Sequence, residues 1–478
     1  MKMRAAKKKF LRSWQAGLLA VLFVWGGIFF CSTFVLAEKI PFAREETLAQ
    51  VRDKIQVNGY HFTVADNWVT RLPADERQRL RSRHAPAYRR YRTEEIDYGP
   101  LQILPAEALP ESFDWRNVDG HSYIGPMRDP QGSCGVCYAF AACAAAEGTC
   151  NVALGRYDSE CLDLSEAFLA FCLDQYYEGF SGCWGSDFDY RELDALVEHG
   201  VCLEVDYPYS GEDRGCIPGA EEADRIQLAA WYRIPCGDIL AIKSAIKAYG
   251  VLDAAVRVTS AFEAYHSGVF TDDNTGCSED PCYYTETDHC IALVGWQDTG
   301  PEGDGYWILR NSWGRDWGED GYMKIAYRSA HVACEACYLV YTGPDKIFVK
   351  YDGLCNGFLP CFSSVTAAYA AAGKDSEIKV RDGSYYCSGG VVFAQEKNLR
   401  LTGGWNETFT DEGSFTYLYG GPLQIEHGSV VVNRIILGDA SVVCCKNESG
   451  SGFSPGTSTL KREFSPFHFH PGYSPLFQ

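Results

Sequence analysis

The first fifteen residues hold six basic side chains, Lys2, Arg4, Lys7, Lys8, Lys9 and Arg12, and no acid; a run of 22 uncharged, mainly apolar residues follows from Ala16 to Ala37. That pairing reads as an export signal, with Val35-Leu36-Ala37 as the segment a signal peptidase would cut. The run is also long enough to cross a bilayer, for which about 20 apolar residues suffice, so an uncleaved signal-anchor stays open beside a cleaved signal. Export constrains everything downstream, because the chain carries 21 cysteines and thiols outside the cytosol oxidise and pair. The expected location is therefore secreted, periplasmic or extracellular, or membrane-anchored through residues 16–37.

Charge divides the chain at about residue 109. Residues 1–109 contain eighteen basic and eleven acidic side chains, the remainder 25 against 52. A basic segment joined to an acidic body suits a leader held partly by charge. The acidic body offers no phosphate-binding stripe, which argues against a nucleic-acid partner. Residues 38–109 are polar and arginine-rich, with Arg77, Arg79, Arg81 and Arg83 close together and no cysteine. At Leu109-Pro110-Glu111 the composition changes to one dense in Cys, Trp and Tyr. A second boundary falls near Tyr341-Thr342-Gly343-Pro344. With 478 residues and a prior of roughly 150 residues per domain, the expected organisation is 1–37 signal or anchor, 38–109 leader, 110–343 main domain, 350–449 β-rich domain and 450–478 a loosely ordered tail.

The last domain opens with a helix signal, Ser364 to Ala372, stopped by Gly373. Short β-prone runs follow, among them Ile378 and Val380, Val391 to Phe393, Leu399 and Leu401, Leu423 and Ile425, Val430 to Val432, and Ile435 to Leu437. Strands this close together, without intervening helices, fit stacked solenoid rungs or a small sandwich. On Ala368-Tyr369, Ile378-Lys379-Val380 and Gly403-Gly404-Trp405 the stretch resembles a short module of bacterial surface and secreted proteins that looks like the start of a parallel β-helix. It is read either as a module for attachment to a surface, polysaccharide or substrate, or as a passive stabilising appendage, and the sequence favours neither.

The chemistry concentrates in three segments. Gln131-Gly132-Ser133-Cys134-Gly135-Val136-Cys137 runs into the alanine-rich stretch Ala141 to Glu147, which is helical by propensity. A cysteine at a helix N-terminus feels the positive end of the dipole, which favours the thiolate, the attacking form. A thiolate needs a proton-handling partner with a pKa near neutrality, the property of histidine. Of ten histidines, His289 stands where the polar Thr287-Asp288 meets the apolar run Cys290 to Trp296, a strand end. Asn311, directly after the strand-like Tyr306 to Leu309, supplies an amide able to orient the imidazole.

In their order and local patterns these segments resemble the papain and cathepsin family of cysteine peptidases, over about residues 110–343. The resemblance implies an α+β fold of two lobes, a helical lobe carrying Cys137 and a β lobe carrying His289 and Asn311, followed by a separate small all-β, solenoid-like domain. It implies Cys137 as nucleophile, His289 as ion-pair partner and general acid/base, Asn311 as orienting amide, Trp313 as shield of that hydrogen bond, and Gln131 as oxyanion-hole side chain. Gly185, Ser186, Phe188, Asp288 and Trp313 become candidate substrate contacts. Cys134 is expected to pair with Cys183, and Cys172 with Cys216. Phe113-Asp114-Trp115-Arg116, Leu164-Ser165-Glu166, Tyr207-Pro208-Tyr209 and Trp317-Gly318 add support.

Several positions depart from the family pattern. Val136 and Tyr138 replace the usual small polar residue and Trp, and Ser186 stands where glycine normally lets substrate backbone approach. His289 and Asn311 follow Cys137 by 152 and 174 residues, beyond the usual interval of about 130 to 150, which points to an insertion at Cys277 to Cys282. The leader looks like the short propeptide of cathepsin B, yet no histidine pair follows Cys183, which favours endopeptidase over dipeptidase action.

Bland readings of these residues are a structural disulfide at Cys137, a satisfied core histidine at His289 and a turn residue at Asn311. A redox Cys134-x-x-Cys137 motif would need a preceding strand, and Gly125 to Pro130 is loop-like. Zinc on that pair with Cys334 and Cys337 would join ligands about 200 residues apart, unlike known modules. The expected function is a cysteine endopeptidase made as a secreted zymogen, needing no cofactor or metal, with protein or peptide substrates and its own leader as inhibitor. The alternative is a catalytically weak binding or adhesion protein on the same scaffold.

Overall fold

A computed structural model of the protein describes residues 39–81, 98–128, 130–177, 181–186, 190–272, 287–300, 304–332, 334–343, 346–353, 355 and 361–438, and the backbone of 443–444. The 1–37 segment, the Cys277–Cys282 insertion, Phe188 and the 450–478 tail lie outside them. No helix of the described residues is long and apolar enough to cross a membrane. The described residues from Pro41 onward belong to one compact unit.

Within it, the leader contributes α1 (Leu48–Asn58), β1 (Thr63–Val64) and α2 (Ala74–Leu80). Helix α1 begins on a capping box: Gln50 N donates to Thr47 Oγ1, and Gln50 Oε1 accepts from Thr47 N at 2.9 Å. This satisfies two of the amides a helix start leaves unpaired. Phe42, Phe62 and Val64 are buried, with the Phe62 ring centroid 4.8 Å from that of Phe270. Strand β1 pairs antiparallel with β5 (Tyr265–Ser267). The leader is thus docked through apolar side chains as well as charge.

The helical lobe is built on α3 (Cys137–Leu154), with α4 (Glu166–Phe171) and α5 (Arg191–Glu198) against it. Sixteen of the eighteen residues of α3 are buried, so packing rather than propensity sustains it. At Gly148 an added Cβ would stand 2.1 Å from Val251 Cγ2, so only glycine permits this approach. Gly155 ends the helix at φ 63°, a left-handed cap that glycine adopts without strain.

In the other lobe, β2 (Ser112–Asp114), β3 (Ala230–Arg233), β4 (Leu252–Val256), β6 (Val269–Phe270), β7 (His289–Asp298), β8 (Gly305–Arg310), β9 (Tyr322–Ala326) and β10 (Ala336–Val340) form one sheet, in the order β3-β10-β4-β7-β8-β9-β6, with β2 added on β7. Pairing is antiparallel except between β6 and β9. Helices α6 (Ile239–Tyr249) and α7 (Ser260–Glu263) complete this lobe. Its central strand β7 is buried from His289 to Trp296, as expected of a strand covered on both faces.

Beyond residue 343, β11 (Lys346–Val349), β12 (Cys361–Phe362), α8 (Val365–Ala371), β13 (Glu377–Arg381), β14 (Gly383–Tyr386), β15 (Val391–Phe393), β16 (Asn398–Trp405), β17 (Thr416–Tyr419), β18 (Leu423–Ile425), β19 (Ser429–Asn433), β20 (Ile435–Gly438) and β21 (Val443–Cys444) follow. They form three sheets, β12-β11-β13-β16-β19, β14-β17-β20 and β15-β18-β21, and every pairing in them is parallel. Three-strand rungs stacked in register are a solenoid arrangement, not a sandwich of antiparallel hairpins. Ile378 stacks on Leu401, and Leu399 on Val430, all buried. Apolar contacts continue from the two lobes into these rungs within one core cluster.

Candidate active site

The segment before α3 is fixed at both ends. Gln131 N donates to Ser312 O at 2.9 Å, and Gly135 N to Cys183 O at 2.9 Å. A disulfide joins Cys134 to Cys183, Cα atoms 4.4 Å apart, and a second joins Cys172 to Cys216. A third, Cys355–Cys361, has no counterpart among the expected pairs. The result sets Cys137 as the first residue of α3, fully buried, where the helix dipole favours an anion.

Across from it, His289 is the first residue of β7, opposite Val256 of β4. Its Nε2 lies 2.8 Å from Asn311 Oδ1, and Asn311 follows the last residue of β8. The same Oδ1 accepts from Ser312 N at 2.8 Å, so the amide is locked by its own chain. Holding Nε2 in this way leaves Nδ1 for Cys137. The Trp313 ring lies 4.8 Å from the imidazole at 31° and is fully buried, so it excludes water from the Asn311 bond.

These contacts move the titrations of both reacting groups. Burial pushes the Cys137 thiol up, but the hydrogen bonds from Cys290 and the charge and hydrogen bond of His289 outweigh it, leaving the thiol well below its ordinary range. Burial pulls the His289 imidazole down, yet the charge and hydrogen bond of Cys137 and the bond to Asn311 raise it on balance. Thiolate beside imidazolium is the form in which each group stabilises the other.

Gln131 is buried. Its Oε1 accepts from Ser312 Oγ at 2.5 Å, and its Nε2 donates to Cys134 O at 2.9 Å and to Leu80 O of the leader at 3.4 Å. A leader carbonyl therefore sits on the amide expected to hold a substrate oxyanion. Arg81, the next residue, places Nη2 2.5 Å from Glu263 Oε1, and Arg77 Nε is 3.4 Å from Glu263 Oε2. Trp68 Nε1 donates to Trp313 O at 2.8 Å.

The candidate substrate contacts are dispersed differently. Asp288 is buried, accepts from Val258 N through Oδ1 at 2.8 Å, and meets Arg44 of the leader at 2.8 Å through Oδ2. Gly185 closes the turn Gly182–Trp184 at φ 104°. The Ser186 side chain is buried, its hydroxyl 3.4 Å from Glu192 Oε2, so the extra oxygen turns into the lobe. Phe188 is outside the described residues. Ser312, Glu263, Leu80 and Arg81 belong to this region and were not among the expected residues. Ser312 adjoins Asn311, the one signal that could have found it; the others come together only through the fold. Among the described residues no cluster of three or more His, Cys, Asp or Glu could hold a metal.

Known proteins resemble the chain over the region that holds this site. The family model described as "Papain family cysteine protease" matches residues 109–341. Cysteine proteinase 2 of Entamoeba histolytica is 35% identical over 245 residues, 50% of this chain and 71% of the relative. Germination-specific cysteine protease 1 of Arabidopsis thaliana is 31% identical over 287 residues, 58% of this chain and 70% of the relative. The solved structure of digestive procathepsin L 3 of Tenebrio molitor larval midgut superposes with a TM-score of 0.49 at 25% identity, over 61% of this chain and 87% of that one. On the identity and coverage of these sequence relatives, the chain belongs to the papain family of cysteine proteases and is a cysteine endopeptidase.

Proposed function

We propose that Cys137, His289, Asn311 and Gln131 carry out peptide hydrolysis and that the chain is made as an exported zymogen whose leader, residues 38–109, blocks the site. The observation that carries the reading is the Cys137–His289–Asn311 arrangement, with the imidazole fixed by Asn311 Oδ1 at 2.8 Å. The Cys137 thiolate attacks the peptide carbonyl carbon, and the oxygen of the tetrahedral intermediate is held by Gln131 Nε2 and the backbone N–H of Cys137. As the intermediate collapses, the C–N bond breaks and His289 gives its Nδ1 proton to the leaving amine. Water, deprotonated by the now neutral imidazole, then attacks the thioester and restores the thiolate.

The leader supports the zymogen reading by its backbone. Leu80 is the last residue of α2 and Arg81 caps it at φ −101° and ψ 39°, so the carbonyl on Gln131 belongs to a helical end. A substrate bond must be extended across the nucleophile, and a helix end resists attack there. Activation would cut near Leu109-Pro110-Glu111 and free residues 110–343, with 350–449 retained as an accessory domain. Its exposed Tyr386, Tyr417 and Tyr419 suit a surface or polysaccharide ligand. Val35-Leu36-Ala37 would be the signal cut, with anchoring through residues 16–37 the alternative.

The test is hydrolysis of a peptide library by the full chain, treated with mild acid and reductant, against Cys137→Ala. Internal cleavage by the wild type, with a loss on the order of 10⁴-fold or more in the variant, is expected. Undiminished hydrolysis by Cys137→Ala would refute the assignment.

A further inference from the structure

The leader reports what the cleft will accept on the far side of the scissile bond. His289 must protonate the leaving amine, so the segment released first departs along the lobe that carries the imidazole. Glu263 lies on that lobe at the end of α7: its neighbour Phe262 has its ring 6.4 Å from that of His289 and 5.8 Å from that of Trp313. The Glu263 backbone is pinned, its carbonyl accepting from Trp317 Nε1 at 3.0 Å and from Asn67 Nδ2 at 2.9 Å. Its carboxylate is buried, 3% exposed with the leader in place, and the ion pairs it makes are with Arg81 and Arg77 of the leader.

A second carboxylate, Asp288, meets Arg44 of the leader. Glu263 and Asp288 thus both pair with cations that the leader supplies. Arg81 follows the residue whose carbonyl stands on Gln131, so a guanidinium already fills the position beside Glu263 while a carbonyl fills the oxyanion position. Once the leader departs, the Glu263 carboxylate loses both guanidinium partners, and an incoming basic side chain can take their place in a charge-assisted pair. With the leader in place, burial pushes the Glu263 carboxyl up while Arg81 and Arg77 pull it back.

We propose that Glu263 makes this peptidase select arginine or lysine at the first residue after the cleaved bond, whose charged end would take the place beside Glu263 that the Arg81 guanidinium now holds. The inference rests on the peptidase reading and adds a specificity that the reading does not contain. It concerns the leaving segment alone.

Three quenched fluorescent peptides identical except for Arg, Gln or Glu at that position test it, with the full chain activated by mild acid and reductant and its sites counted with an epoxide thiol inhibitor. The wild type is expected to prefer Arg over Gln by about 10-fold in kcat/KM, and over Glu by more. In Glu263→Gln the Arg preference falls to within about 2-fold of unity, and in Glu263→Arg the Glu peptide becomes the best of the three. Rates per titrated site make unfolded enzyme invisible to the ratio, and the wild-type ratio needs no variant. Equal wild-type rates on all three peptides would overturn this inference alone. Cleavage of none would overturn the peptidase reading, and this inference with it.

Discussion

His289 Nε2 and Asn311 Oδ1 stand 2.8 Å apart beneath the Trp313 ring, and that bond decides which nitrogen of the imidazole faces Cys137. Asn311→Ala leaves the ring free to turn and removes the acceptor of the Ser312 amide. We expect kcat to fall by about 10- to 100-fold with a smaller change in KM, since the amide acts through the imidazole and not on substrate. Steady-state kinetics on one peptide measures the split; an unchanged kcat would remove Asn311 from the machinery.

The opposed shifts of Cys137 and His289 set a pH window. The thiol is held below its ordinary range and the imidazole above its own, so thiolate and imidazolium coexist between the two. Activity should appear as pH rises through the depressed thiol titration and vanish as pH rises through the elevated imidazole titration. A bell in kcat/KM with its alkaline limb above pH ~6.5, the unperturbed imidazole value, is expected. A limb that only begins to rise near the ordinary thiol value would contradict the ion pair.

Leader retention depends on the buried Arg81–Glu263 pair, whose side chains are 5% and 4% exposed. Removing one partner of such a pair costs about 3 to 5 kcal/mol, and Arg77 recovers part of it. Arg81→Ala should therefore activate faster than wild type at a fixed mildly acidic pH, by about 10-fold or more. Gel analysis of leader loss over time measures this; an unchanged rate would show that apolar docking alone holds the leader.

Ile378 and Leu401 are fully buried and stacked on adjacent parallel strands of the C-terminal rungs. Ile378→Ala should destabilise that region by about 2 to 4 kcal/mol. Limited proteolysis should then cut first within 346–438, with epoxide labelling of Cys137 retained. Loss of both together would mean that the rungs and the lobes unfold as one.

The legibility of the fold from sequence follows the range of each interaction. Cys137 at a helix start, and His289 and Asn311 at strand ends, are marked by short segments in which a polar residue meets an apolar run, so their elements could be read locally. The rungs after 346 were legible as short strands, but their parallel pairing came only from the resemblance to a parallel β-helix, because a two-residue alternation is the same in either pairing. Arg81 and Glu263 are 182 positions apart, and nothing near either residue announces the other. Ser186 was legible as a departure, yet only packing against Glu192 determines that its hydroxyl points inward.

The central claim, that Cys137 is the nucleophile, is tested most directly by mass spectrometry of the acid-activated full chain after reaction with an epoxide thiol inhibitor. One adduct per chain, on the peptide containing Cys137 and absent in Cys137→Ala, is the predicted result. An adduct on another buried cysteine outside the disulfides, such as Cys143 or Cys202, or no adduct while peptides are still cleaved, would contradict it.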